Sequence, residues 1–333
     1  MASAPLYPAT RLVGIARLAA ASPKTRERAS VEYFALESKS ALNRESSGRM
    51  PFDWTLNPYR GCEFGCQYCY ARYTHEFMEL RDTFDFERKI YAKMNGPALL
   101  RGELAKARDR GQSIALGTAT DPYQPAEKQF EITRRILEVF AGFEGLTFSL
   151  TTKSVLILRD IELLKTISAR HQFSVHLTIT TADARLARLM EPKAPPPQKR
   201  LAAVEQLAAA GIDVCVNAMP IVPGITDDPA ALDDLVRSAA AAGARTLHGN
   251  VLFLMPTAMS HFMPFLEAEF PHLVARYRRL YEHSAYLNGE YKESIGKLIA
   301  ELRAKYGLDA RRPGPSPKAA PQMLLPWGEA GTQ

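Results

Sequence analysis

Through the middle of the chain, short runs in which apolar and polar residues alternate recur, each followed by helical sequence. The runs begin near Asp53 (DWTLN), Ser113 (SIALGTAT), Leu146 (LTFSLTT), Phe173 (FSVHLTIT), Ile212 (IDVCVNAM) and Thr246 (TLHGNVLFL). Alternation with period two predicts strands, whereas intervening stretches such as EKQFEITRRILEVFAGF carry the helical period. Six such units predict a β-α architecture with a mainly parallel sheet. No repeat is visible at the level of the sequence itself, so the period is structural.

Strands buried on both faces of a doubly wound sheet read as continuous apolar runs, and these do not. Leu146, Phe148 and Leu150 oppose Thr147, Ser149, Thr151 and Lys153. Phe173, Val175, Leu177 and Ile179 oppose Ser174, His176, Thr178 and Thr180. Val214, Val216 and Ala218 oppose Asp213, Cys215, Asn217 and Met219, and Leu247 and Val251 oppose His248 and Asn250. One face packs on helices; the other suits a barrel lumen holding a polar ligand, because an unpaired buried polar group costs about 1–3 kcal/mol. Cross-strand pairing among these hydroxyls is the competing explanation at any one position.

The ends differ from this body. Residues 1–50 read as an N-terminal extension, partly flexible, with one short helix at VEYFALES. After the sixth strand, HFMPFLEAEFPHLVARYRRLYEHSAYL and EYKESIGKLIAELRAKYG read as amphipathic helices, a helical cap over the open side of the barrel at residues 261–308. Residues 309–333 form a Pro-rich tail. The formal charge of +6 is concentrated at the start, where residues 1–50 carry eight Lys/Arg against four Glu. Nucleic-acid binding is therefore allowed through the arm, while the body does not demand it. No run of about 18 uncharged apolar residues predicts a spanning helix, and the first apolar run is broken by Arg17, so no membrane role is expected.

Four cysteines in 333 residues, three of them too close to join distant segments, argue against a disulfide framework and predict a cytoplasmic, reducing location. Those three, Cys62, Cys66 and Cys69, form C-x3-C-x2-C in a loop loosened by Gly61 and Gly65. Closely spaced thiolates converge on a metal centre. A structural zinc site and a ferredoxin-type cluster both take four protein ligands, and this loop offers three. An iron with no protein ligand is an open position of the kind catalysis uses. His75, six residues past Cys69, completes a Cys3His set and keeps a zinc-bearing nucleic-acid-binding module open.

C-x3-C-x2-C with an aromatic, Tyr68, just before the last cysteine, following the first strand of a partial (β/α)6 TIM-like barrel, resembles the radical S-adenosylmethionine (SAM) superfamily. The resemblance covers roughly residues 51–260. It implies that Cys62, Cys66 and Cys69 hold three irons of a 4Fe-4S cluster whose fourth iron is chelated by SAM. It further implies an enzyme that cleaves SAM reductively to a 5′-deoxyadenosyl radical, fed by a donor such as flavodoxin or ferredoxin. The stretches NPYRGCEFGCQYCYARYTHEF, GTATDPYQPAE, TTKS, MEPKAPPPQKRL and PIVPGITDD resemble the branch related to spore photoproduct lyase, described as DNA repair photolyase-like. In that lyase, tyrosines flanking the last cluster cysteine relay a hydrogen atom, and Tyr68 and Tyr70 match them; packing around the cluster and the adenine of SAM, which makes Tyr68 a cofactor-binding candidate, is the alternative. The lyase also has a donor cysteine near its second-strand exit, and here no cysteine lies between Cys69 and Cys215.

The same resemblance assigns Gly117, Thr118, Thr120 and Asp121, at the end of the second strand, to the methionine end of SAM, with Asp121 on the ammonium. A turn at Asp121-Pro122 is the alternative. Lys153 is a candidate for the SAM carboxylate, with a surface lysine after TTKS as the alternative, and Thr178 and Thr180 are candidates for the ribose. Glu191 and Arg200 bracket PKAPPPQ and can pair with each other or with cofactor, and Arg200, which opens a helix, can equally be solvated. His176 and His248 line the lumen. Cys215 shares that face and is a candidate hydrogen donor or a packing residue. Three functions stay open: radical chemistry on DNA or another nucleic acid, radical chemistry on a peptide or small metabolite, and the zinc-bearing module.

Overall fold

A computed structural model describes residues 12–28, 30–46, 48, 50–106, 112–287 and 289–308. Its strands are β1 (Lys24–Arg28), β2 (Val31–Leu36), β3 (Leu42–Arg44), β4 (Trp54–Leu56), β5 (Tyr59–Arg60), β6 (Lys89–Lys93), β7 (Ser113–Leu116), β8 (Thr147–Thr152), β9 (Gln172–Thr178), β10 (Val214–Ile221) and β11 (Thr246–Val251). The larger sheet runs β11-β10-β9-β8-β7-β4-β3. Its six strands from β4 to β11 are all parallel and ordered as in the chain, and β3 is antiparallel at the edge. No pairing joins β4 to β11 among the described residues, as a partial (β/α)6 barrel requires.

Alternation in the sequence becomes two chemically different faces. Phe148, Leu150, Phe173, Val175, Leu177, Val214, Val216 and Leu247 are buried against the helix layer, and the Phe140 ring of helix Ile132–Ala141 stacks on Phe148 at 4.2 Å between centroids. Burying each large apolar side chain contributes about 1.5–3 kcal/mol. On the opposite face Ser149, Thr151, Ser174, His176, Asn217 and His248 stay only partly covered. The helices start where their sequences say they should: Asp228 caps Pro229–Ala241 by accepting from Ala231 N at 2.9 Å, with Pro229 at the first helical position.

The N-terminal extension departs from expectation. VEYFAL forms strand β2 and not a helix, because its period is two: Val31 and Tyr33 are buried while Glu32 and Phe34 are less so. β2 pairs in parallel with β6, and β6 pairs antiparallel with β5, giving a second sheet ordered β1-β2-β6-β5. β5 ends two residues before Cys62, so this sheet braces the cysteine loop. Residues 1–11 of the arm and the Pro-rich 309–333 lie outside the described residues.

The C-terminal helices divide between two jobs. Helix Pro256–Glu269 spans residue 260 and flanks the segment after the cysteines, with His261 Nδ1 3.2 Å from Thr83 Oγ1. Helix Glu290–Lys305 joins the helix layer instead of covering the lumen. Its Ile299 lies so close to Gly249 of β11 that a Cβ there would be 2.9 Å from Ile299 Cγ1, and Lys305 pairs with Asp233 of the neighbouring helix. An apolar stripe seeks the apolar face of the sheet, which explains the placement.

Candidate active site

Cys62, Cys66 and Cys69 are free thiols, the first two buried and the third partly so, in the loop leaving β5. The loop turns through Gly61 at φ +83° and Gly65 at φ +62°. At Gly61 a Cβ would come within 2.8 Å of both Phe86 O and Lys89 O, so only glycine lets the chain pass that close to β6. Backbone bonds complete the anchoring: Cys62 N donates to Phe86 O at 2.9 Å, Cys69 N to Cys66 O at 3.2 Å and Gln67 N to Met190 O at 2.9 Å. Arg72, 1 % exposed, donates to Cys66 O at 3.1 Å and pairs with Glu87 at 2.6 Å.

A second set of bonds ties this loop to the loop after β7. Thr120 Oγ1 donates to Gly61 O at 2.6 Å, and Gln124 Nε2 donates to the same oxygen and to Thr120 Oγ1, each at 3.0 Å. Glu63 N donates back to Gln124 Oε1 at 3.0 Å, and Tyr33 of β2 donates to Glu63 Oε2 at 3.0 Å. Gln124 thus serves as a buried clip that the sequence reading did not single out. Its signal was slight: a lone amide three residues past Asp121.

Tyr68 lies against the wall built by MEPKAPPPQKRL. Its hydroxyl donates to Glu191 Oε1, Thr180 Oγ1 donates to the same oxygen at 3.2 Å, and Arg200 pairs with Glu191 Oε2. Arg200 also donates to Thr178 O at 3.0 Å and Pro195 O at 2.7 Å. The pair is therefore internal and buried, which decides between the two partners foreseen for Glu191. Burial alone would raise the Glu191 carboxyl, but Arg200 and Lys153 hold it below its ordinary value. Lys153 Nζ sits 5.7 Å from the centroid of the Tyr68 ring. Burial opposes its charge, and the Cys66 and Glu191 charges more than offset that, leaving it raised.

Asp121 is committed. Its Oδ1 accepts from Thr152 Oγ1 at 2.6 Å and Tyr123 N at 2.9 Å, and its Oδ2 from Lys153 N at 2.7 Å. Gly117, at φ +89°, is where a Cβ would meet Thr151 O at 2.5 Å. Thr118 exchanges hydrogen bonds with Asn57 and accepts from the Tyr70 hydroxyl through its carbonyl. Tyr70 is 37 % exposed, and its ring lies 5.2 Å from Phe253, which stacks on Tyr286 at 5.3 Å. Cys215 stands apart from this group. It lies on β10, with β7, β8 and β9 between that strand and β4 in the sheet order. Burial pushes its thiol up to about 12.

Two ligands of one zinc ion lie at most about 4.6 Å apart. Among the described residues, the one set of three or more His, Cys or carboxylate ligand atoms within 4.8 Å of one another is His176, Cys215 and His248. Cys62, Cys66, Cys69 and His75 do not meet that condition, and His75 spends Nε2 on Lys89 O at 3.0 Å. The Cys3His zinc module does not fit. Three buried or partly buried thiols with Lys153 and Arg200 positive beside Cys66 fit a polynuclear cluster, in which each sulfur takes a different iron.

The family model of the radical SAM superfamily matches residues 56–236. The chain belongs to the radical SAM superfamily. Its enzymes use a 4Fe-4S cluster and SAM, and Cys62, Cys66 and Cys69 are the residues here that fit the cluster. A relative in Mycobacterium tuberculosis, an uncharacterized protein, is 38 % identical over 289 residues, spanning 86 % of this chain and 84 % of its own. Another uncharacterized protein, from Methanocaldococcus jannaschii, is 30 % identical over 198 residues, 59 % of this chain and 70 % of its own. Among solved structures, spore photoproduct lyase complexed with dinucleoside spore photoproduct superposes with TM-score 0.62 at 12 % identity, over 82 % of this chain and 79 % of that one. Streptococcus suis SuiB bound to the precursor peptide SuiA reaches TM-score 0.50 at 12 % identity, over 76 % and 46 %. At such identities the two structures speak for the radical SAM fold. No helix among the described residues is long and apolar enough to cross a membrane.

Proposed function

We propose that this radical SAM enzyme acts on a nucleic acid, at a base held beside Cys69. The observation that carries the reading is the aromatic row Tyr70, Phe253 and Tyr286, which starts at the residue after Cys69 and runs outward to a Tyr286 that is 46 % exposed. Stacked, partly exposed aromatic rings are the surface on which unpaired bases are held, each worth about 1–3 kcal/mol. When bound, the reduced cluster supplies the electron that cleaves SAM to methionine and a 5′-deoxyadenosyl radical. The protein's own residues then have distinct tasks. Lys153, over the Tyr68 ring, receives the SAM carboxylate; Thr178 and Thr180 border the ribose. Asp121, already accepting three hydrogen bonds, braces the wall with Thr120. Tyr70, bonded only to a backbone carbonyl, is better placed than Tyr68 to pass a hydrogen atom. The lyase-like repair reaction lacks its donor cysteine on the β7 loop.

The test is anaerobic assembly with iron and sulfide, reduction by dithionite or a flavodoxin- or ferredoxin-type donor, and detection of 5′-deoxyadenosine from SAM. Single-stranded and ultraviolet-damaged oligonucleotides, and a peptide pool, are added in turn. Stimulation by oligonucleotide, with Tyr286→Ala weakening its binding about tenfold to hundredfold, supports the proposal. Stimulation by peptide alone would replace it with the peptide reading that the likeness to SuiB favours.

A further inference from the structure

His176 of β9, Cys215 of β10 and His248 of β11 stand on three adjacent strands, on the polar face, with their ligand atoms mutually within 4.8 Å. Register puts them there: Cys215 is opposite His176, and His248 is opposite Asn217, two residues on from Cys215. The imidazole rings lie nearly parallel, with centroids 5.8 Å apart and planes 12° apart. We propose that these three side chains form a mononuclear site for a divalent transition-metal ion, with Zn2+ the ion their donors fit best, separate from the cysteine loop.

The donor set makes the choice. One thiolate and two imidazoles are soft to borderline ligands, which select zinc and its transition-metal neighbours over magnesium or calcium. Three protein ligands leave a fourth tetrahedral position for water or another ligand. Tetrahedral zinc needs S–N and N–N distances of about 3.4–3.6 Å, so side-chain rotations closing the set by about 1 Å suffice. Outer partners are already present. Asn217 Oδ1 accepts from His176 Nδ1 at 3.3 Å, which fixes the tautomer and leaves the Nε2 lone pair facing the Ser174 hydroxyl at 3.1 Å, a rotor that can turn away.

Position separates this site from the cluster. Its ligands stand on β9, β10 and β11, with β7 and β8 between them and β4 in the sheet order, whereas the cluster cysteines lie in the loop leaving β5. β11 is the edge strand of the open sheet. An ion bound there would pin the edge strand to its two neighbours from the lumen side.

The test titrates Co2+, then Zn2+, into full-length Cys62→Ala/Cys66→Ala/Cys69→Ala protein, so that the cluster thiols contribute nothing. One Co2+ per chain should bind, with thiolate-to-cobalt charge transfer and the visible bands of a tetrahedral ion, and Zn2+ should displace it. Cys215→Ser should abolish the charge-transfer band, His176→Ala and His248→Ala should each abolish tight binding, and Asn217→Ala should weaken it by about 10–100-fold. No stoichiometric Co2+ uptake, or uptake indifferent to His176→Ala and His248→Ala, would overturn the proposal. If the triple variant does not fold, zinc per chain is measured on the cluster-loaded wild type and its Cys215→Ser form. An extra metal present in the first and absent from the second supports the site; equal zinc in both refutes it. Neither readout depends on SAM cleavage or on any nucleic acid, so failure of the proposed function leaves this result standing.

Discussion

Replacing Arg200 by Met removes the cation from a pair in which both side chains are 1 % exposed. It deletes the bond to Glu191 Oε2 together with the donations to Thr178 O at 3.0 Å and Pro195 O at 2.7 Å. Here Glu191 would lose its closest cation, with Lys153 the remaining positive charge beside it, and removing one partner of a buried pair costs about 3–5 kcal/mol. That is a large share of a total stability of about 5–15 kcal/mol. If the uncompensated charge is the cause, Arg200→Met should cost about 2 kcal/mol less in a Glu191→Gln background, where no charge is stranded. The assay is urea unfolding of the anaerobic protein by circular dichroism, with wild type, two single variants and the double variant forming a cycle. Acid adds a second arm. Glu191 titrates below its ordinary 4.5 in the folded protein, so its contribution is present above pH 4.5 and is lost as pH falls through the lower folded value. The gap between wild type and Arg200→Met should therefore narrow below pH 4.5. A cost under about 1 kcal/mol, or one identical in both backgrounds, would refute the argument.

Three other outcomes follow from the geometry. Gly61→Ala should prevent cluster assembly, because the new Cβ meets two carbonyl oxygens at 2.8 Å; iron and sulfide per chain should fall to the level of the triple cysteine variant, with Gly102→Ala, in open space, as the neutral control. Asp121→Asn keeps the shape but turns one acceptor into a donor facing Thr152 Oγ1 or Lys153 N, so unfolding free energy should drop by about 1–3 kcal/mol. His75 is held neutral by burial, its pKa lowered from 6.5 to about 4, so the unfolded chain binds the proton first and stability should rise with pH across that window. His75→Asn should flatten the slope between pH 4 and 6.5 in the same urea assay.

The parts of this fold that were legible are those where chemistry repeats at short range. Six strands declared themselves because Phe148 and Leu150, or Val175 and Leu177, alternate with polar neighbours, and the sheet turns that alternation into a helix-packed face and an open one. The cysteine loop was legible because three thiols within eight residues have few other uses. β2 was misread because VEYFALES is short and unflanked, and what makes it a strand is β6, more than fifty residues away in a stretch with little period of its own.

The candidate site shows the same limit more sharply. Asp121 looks like a free carboxylate in the sequence, yet Thr152 and Lys153 arrive from the next strand to occupy it. Glu191 and Arg200 are nine residues apart across a Pro-rich turn, and neither position reveals that Tyr68, 123 residues away from Glu191, donates into the same carboxylate. Isolated polar residues acquire a role only when the fold closes a circuit of donors and acceptors around them, because a buried group without a partner costs as much as a lost packing contact. That rule also separates the two thiol sites. Cys62, Cys66 and Cys69 announce themselves by spacing, whereas Cys215 has no cysteine near it in the chain and meets His176 and His248 only because parallel strands in register bring positions 176, 215 and 248 side by side.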